Sequence, residues 1–213
     1  MNQRYQEPRK QHLVSGAVHQ CFGNKIRDSD NALLWLTGHP GCGKTMLSYS
    51  LAQYLDYACN KSRNVLIYLY QNKNKHKHKH KHKHKQADAR AVRIGLILQI
   101  VDRHRLLVKC IRSAFEKEES SIIQSFASTW RVFLRITKDP KTGYLCDIID
   151  ALDECERASC HQLLVSISGM LADSSQSMKS GSRIKFLIMS RPFLHQSYAK
   201  SQKWASITNI NRR

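Results

Sequence analysis

The chain has 213 residues and a formal net charge of +19, from 35 Lys plus Arg against 16 Asp plus Glu; this is room for one full-sized domain with a core, not two large ones. Its longest apolar runs are strand-sized, against the ~18 residues of a bilayer-crossing helix, and no charged start leads into the apolar core of a signal peptide. No membrane partner and a cytoplasmic setting are therefore expected. Seven cysteines, odd in number, scattered and with no C-x-x-C pair, exclude a disulfide framework and a zinc knuckle; the nearest approach to a metal cluster, Cys155, Cys160 and His161, lacks a fourth ligand.

Residues 1–30 are polar and basic apart from Leu13 to Val18, and they lead into the turn-prone run Arg27 to Asn31; they read as a leader helix and a loop, with the domain itself over 31–213. Leu33 to Thr37 is a short apolar run broken by glycine, the pattern of a buried strand. Leu47, Leu51, Leu55 and Ala58 then recur at helical spacing over Thr45 to Cys59. Asn64 to Tyr70, NVLIYLY, has the β-branched and aromatic content of a second strand covered on both faces.

The tract 73–85, KNKHKHKHKHKHK, holds seven of the lysines and leaves +12 spread over the rest of the chain. In an extended segment His76, His78, His80, His82 and His84 share one side and the lysines the other, a pattern open to a transition metal, to nucleic acid or to nuclear import. So pure a repeat, with like charges so dense, is what expansion of a simple DNA repeat leaves behind, and it reads first as a solvated, disordered insert.

From Ala87 to about Ile136 the pattern is helical, with Val92, Leu96, Ile100, Leu107, Ile111 and Phe115 on one side and a second helix around Phe126 to Ile136; Asp139 to Gly143 is a turn by composition. Tyr144 to Ile149 (YLCDII) is a third strand, Cys160 to Leu171 a helix, Ser174 to Ser182 a serine-rich loop, and Ile184 to Met189 a fourth strand, with room for a fifth at Ala205 to Ile210. Strands separated by helices predict an α/β fold: a mainly parallel sheet of four or five strands, helices on both faces, ligands at the carboxyl ends of the strands.

The segment Gly38-His39-Pro40-Gly41-Cys42-Gly43-Lys44-Thr45 fits G-x-x-x-x-G-K-[ST] without a gap, between a strand and a helix as that motif requires. The glycines let backbone N–H groups ring phosphates, the helix directs its positive end at them, Lys44 reaches the β and γ oxygens, and Thr45 offers a hydroxyl to Mg²⁺. His39 and Cys42 read as loop fillers. The bland alternative is a glycine turn with an incidental lysine.

IIDALDEC supplies the acid such a site needs on a neighbouring strand. Asp150 ends the strand and is placed to hold the Mg²⁺ shell through water, while Asp153 and Glu154 follow one helical turn on, where a carboxylate can orient or deprotonate water. Helix capping and helix N-terminal charge are the structural alternatives. Asp147, inside the strand, is expected to face an edge or a polar neighbour. Ser190-Arg191 closes the fourth strand at the same sheet edge, where a guanidinium can tell a triphosphate from a diphosphate; a surface arginine before a proline turn is the alternative.

With GHPGCGKT, IIDALDEC and FLIMSRP in this order, an LLW strand before the loop, and Trp130 with Phe133-Leu134 before the acidic box, the chain resembles the NACHT nucleotide-binding domain of the signal-transducing ATPases with numerous domains, in its nephrocystin-3-like N-terminal form. The resemblance covers Leu33 to Pro192. It implies a P-loop NTPase fold, with Gly38, Pro40, Gly41, Cys42, Gly43, Lys44 and Thr45 holding ATP or ADP, Thr45 and Asp150 serving Mg²⁺, Asp153 and Glu154 as an extra acidic pair, and Arg191 as the sensor. It further implies a switch that self-associates in its triphosphate state. The chain departs from the family in the lysine-histidine insert and in ending before the helical and winged-helix parts that hold the diphosphate state closed.

An ATP-binding, slowly hydrolysing signalling domain is thus the leading expectation. The others are a P-loop ATPase of another class, a basic nucleic-acid-binding protein acting through the tract, and an inactive truncated fragment. A GTPase is disfavoured because Asn72-Lys73-Asn74-Lys75 lacks the aspartate of a base-reading N-K-x-D motif.

Overall fold

The computed structural model describes residues 32–60, 89–118, 125–176, 183–194 and 207–209. The expected leader, the strand at 64–70 and the lysine-histidine tract lie outside them. Among the described residues four strands form one sheet: β1 (Ala32–Thr37), β2 (Tyr144–Ile149), β3 (Arg183–Ser190) and β4 (Ile207–Asn209). The order is β2-β3-β1-β4, every pairing is parallel, and sequence neighbours are separated by crossovers as parallel strands require. The helices are α1 (Lys44–Asn60), α2 (Ala89–Arg103), α3 (Val108–Glu118), α4 (Phe126–Lys138) and α5 (Arg157–Gln176).

The strands are apolar without alternation because both faces are covered. Leu33 and Trp35 of β1, Leu145 and Ile149 of β2, and Ile184, Phe186 and Ile188 of β3 belong to one buried cluster with Val92, Leu96 and Ile100 of α2, Val132, Phe133 and Ile136 of α4, and Leu163, Leu164 and Ile167 of α5. The alternate residues Leu34, Leu36, Cys146, Ile148, Leu187 and Met189 pack on Leu47, Leu51 and Ala52 of α1. Helix thus lies on either side of the sheet, a three-layer α/β/α architecture.

The long helical stretch resolves into separate pieces. A one-turn 3₁₀ helix, Arg105–Leu107, divides α2 from α3, and α4 starts at a Ser125 cap whose hydroxyl accepts the Ser128 N–H at 3.4 Å. Helix α5 runs on to Gln176, into the segment expected as a serine-rich loop, because its apolar stripe continues through Met170 and Leu171. Asp147 corrects a second expectation: it is fully buried, and neither carboxylate oxygen has a hydrogen-bond partner. It shares a face with Leu145 and Ile149 and pairs in register with Phe186, so the polar neighbour expected beside it is replaced by apolar ones.

Candidate functional site

Register places the site. Thr37 pairs with Ser190 and Ile149 with Ile188, so β1, β2 and β3 end together at one edge of the sheet. The residues leaving that edge are Gly38, Asp150 and Arg191. The backbone N–H of Gly38 donates to the Ser190 carbonyl at 3.2 Å, joining the start of the loop to the end of β3.

The loop curls because Gly41 and Gly43 take φ of +80° and +86°, a region a side chain makes costly. At each of them a Cβ would meet nothing within 4 Å, so the requirement is for the backbone conformation rather than for space. Pro40 and Gly41 are exposed at the tip, and Cys42 is half-buried. The Lys44 ammonium donates to the carbonyl oxygens of Gly38 at 2.7 Å and His39 at 2.9 Å, and lies 3.7 Å from Cys42 Sγ. It therefore spans the interior of the loop. The first turn of α1 follows this loop directly, and a helix leaves its first N–H groups without intrahelical partners.

Asp150 is 2 % exposed. Burial raises its carboxyl above the usual range, while hydrogen bonds from the Thr45 hydroxyl, the Ala151 N–H and the Ser48 hydroxyl, with the Lys44 charge, pull it back. Thr45, Lys44 and Asp150 are thus brought together from two strand ends. A hydroxyl and a carboxylate side by side fit a small hard cation of the Mg²⁺ type, and among the described residues no group of three or more His, Cys, Asp or Glu could hold a metal ion by itself.

Ser48 is a member that sequence reasoning missed. It is fully buried, with its hydroxyl 3.0 Å from the Lys44 carbonyl and 2.9 Å from Met189 Sδ. The available signal was a polar residue among Leu47, Leu51 and Ala52 on the sheet-facing side of α1, a position that demands a partner.

Beyond Asp150 the backbone turns through Ala151, at φ +55°, into a 3₁₀ turn, Leu152–Glu154. That turn brings Asp153 to Arg191. The acid accepts the Arg191 backbone N–H at 3.0 Å on one oxygen and the Arg191 Nε at 3.0 Å on the other. Glu154 is half-buried on the same turn. On the far side of Arg191, Trp35 Nε1 donates to Ser190 Oγ at 2.9 Å, and that hydroxyl donates to the Arg191 carbonyl at 3.0 Å.

No described helix is long and apolar enough to cross a membrane. Comparison with known proteins agrees with this architecture. Residues 18–191 match the family model described as Nephrocystin 3, N-terminal. The vegetative incompatibility protein HET-E-1 of Podospora anserina is 27% identical over 166 residues, which is 76% of this chain and 11% of that protein. Among solved structures, the ORC2 protein of Aeropyrum pernix, in its ADPNP-ADP complexes, superposes with a TM-score of 0.55 at 14% identity, over 98% of this chain and 49% of that one. The ORC1 protein of the same organism, in complex with DNA, gives 0.51 at 12% identity, over 99% and 47%. The chain therefore spans about half the length of those structures and a small part of the curated relative, and at these identities the structural likeness shows the fold alone: an α/β P-loop NTPase fold.

Proposed function

This chain belongs to the nephrocystin 3 N-terminal family, and from that premise and the geometry of the sheet edge we propose that it is a NACHT-type signalling switch domain that binds Mg-ATP or Mg-ADP and hydrolyses slowly. The observation that carries the reading is the convergence of Lys44, Thr45, Ser48 and Asp150, with the Thr45 and Ser48 hydroxyls and the Lys44 ammonium all acting on the Asp150 carboxylate.

The roles follow from the donor types. Backbone N–H groups of the loop from Gly38 through Gly43 and of the first turn of α1 would ring the β-phosphate, with Pro40 and Cys42 shaping the loop. Lys44 would exchange its two carbonyl acceptors, Gly38 and His39, for phosphate oxygens of higher charge density. Thr45 would be a direct Mg²⁺ ligand and Asp150 a neighbour holding it through water. When bound, Mg²⁺ supplies neutralisation of charge across the phosphate oxygens. Asp153 is engaged by Arg191, and Glu154, half-buried on the same turn, is the acid assigned to orienting water in this reading. Self-association through this domain in the triphosphate state belongs to the same proposal.

The test is to identify the nucleotide that copurifies with the chain and to measure its turnover beside a Lys44→Ala control. Bound ADP or ATP with turnover far below the roughly one per second and above of ordinary enzymes supports a switch; rapid turnover makes it an ATPase of another class. If neither protein carries nucleotide nor binds it when supplied, the proposal is lost.

A further inference from the structure

The pairing of Asp153 with Arg191 gives both residues a role that their separate positions in sequence do not. Arg191 is fixed at three points. Its backbone N–H and its Nε each donate to Asp153 at 3.0 Å, and its carbonyl accepts the Ser190 hydroxyl at 3.0 Å. That hydroxyl is itself held by Trp35, on the strand that feeds the phosphate loop.

The two partners differ in freedom. The Asp153 side chain is 4% exposed and the Arg191 side chain 46%. The acid is therefore the anchor and the guanidinium the presented end. The ion pair is made at Nε, and beyond it the half-exposed Arg191 side chain carries two terminal nitrogens, four further N–H donors in a planar fork. A guanidinium pinned at Nε with an open fork is pre-organised for a doubly charged oxygen cluster, because its rotamer entropy is spent before the anion arrives.

We propose that Asp153 is a positioning residue that sets the site's preference for a nucleoside triphosphate over a diphosphate, by holding Arg191 with its fork turned outward for the terminal phosphate. The inference rests on the nucleotide-binding reading above and departs from a water-activating role for Asp153. Both of its oxygens already face Arg191.

The experiment measures the affinity of the full chain for Mg-ADP and for the non-hydrolysable triphosphate Mg-AMP-PNP by calorimetry, in wild type, Asp153→Asn, Arg191→Gln and the double variant, with Lys44→Ala alongside. Asp153→Asn keeps the size of the side chain but can no longer accept both donors. It is expected to weaken AMP-PNP about tenfold and ADP less than twofold. Arg191→Gln should do the same, and the double variant should be no worse than Arg191→Gln alone, since Asp153 acts through the arginine.

A gain in triphosphate affinity on Asp153→Asn would mean that the acid restrains Arg191 rather than aims it, and would overturn the proposal. Unchanged affinities with a loss of ATP turnover would overturn it too, in favour of water activation. Equal losses for both nucleotides would indicate a structural role only. If Lys44→Ala weakens neither nucleotide, the nucleotide reading itself fails and this inference goes with it. Arg191→Lys, which keeps the charge but lacks the fork, should lose triphosphate preference while folding normally, so the test survives a poorly folding Asp153 variant.

Discussion

At the scale of the residue, Asp147 sits in mid-strand with apolar neighbours, and burial pushes its carboxyl from 3.8 up to about 8. At neutral pH it is therefore a protonated acid inside the core. The folded state keeps that proton while the unfolded chain releases it above about pH 4, so its contribution to stability is fully present below pH 4. It is lost as pH rises toward 8, at up to about 1.4 kcal/mol per pH unit, and flattens above. Asp147→Asn should remove that slope, so that the difference in urea midpoint between variant and wild type grows from pH 5 to pH 8. Ala151 holds a left-handed conformation that places Asp150 and the DALDEC turn; Ala151→Val, adding a β-branch there, should lower unfolding free energy by about 1–3 kcal/mol in a denaturant titration.

The positions of the glycine loop, Asp150 and Arg191 at strand ends were legible in sequence because each directly follows an apolar, strand-sized run. Ser48 and the Asp153–Arg191 pair were not. The pair is separated by 38 positions, and only the common register of β2 and β3 brings its two members into contact.

At the scale of the element, the strands were easy to read and the helices between them were not. Apolar runs such as YLCDII and IKFLIM match β2 and β3 to within a residue, because a strand covered on both faces leaves no room for polar residues except at a cost. Helical periodicity over 87–136 gave no sign of where α2 stops, since Leu107 of the 3₁₀ turn stays in phase with the buried face. Nor did it show that Arg93 would be fully buried in α2, donating to the Phe126 carbonyl at 2.6 Å with its guanidinium 3.3 Å over the Phe126 ring. Arginine on an amphipathic helix ordinarily belongs to the wet face. Here it fastens α2 to the first turn of α4, whose Phe126 stacks on Trp130, which in turn meets Phe133 at a tilt. Arg93→Ala should cost about 2–5 kcal/mol, through the packing lost when a large buried side chain is truncated and its hydrogen bond removed, and Ser125→Ala about 1 kcal/mol through the lost cap of α4. Chemical denaturation with an unchanged m-value checks both.

At the scale of the whole molecule, three strands that end in register turn three separated motifs into one wall. The loop from β1, the acid from β2 and the arginine from β3 meet through Gly38–Ser190, Thr45–Asp150 and Asp153–Arg191. The net charge of +19 adds a long-range attraction for a polyanionic ligand, and it predicts that nucleotide binding weakens as salt is raised toward molar concentration, where the Debye length falls to about 3 Å.

The most direct test of the account is calorimetric titration of the chain with ATP, with and without Mg²⁺, beside Lys44→Ala and Asp150→Asn. The account predicts Mg²⁺-dependent, saturable binding, at least about tenfold weaker in Lys44→Ala, with the dependence on Mg²⁺ reduced in Asp150→Asn. Absence of binding to ATP or ADP at high micromolar concentration, or binding that neither substitution alters, would contradict it.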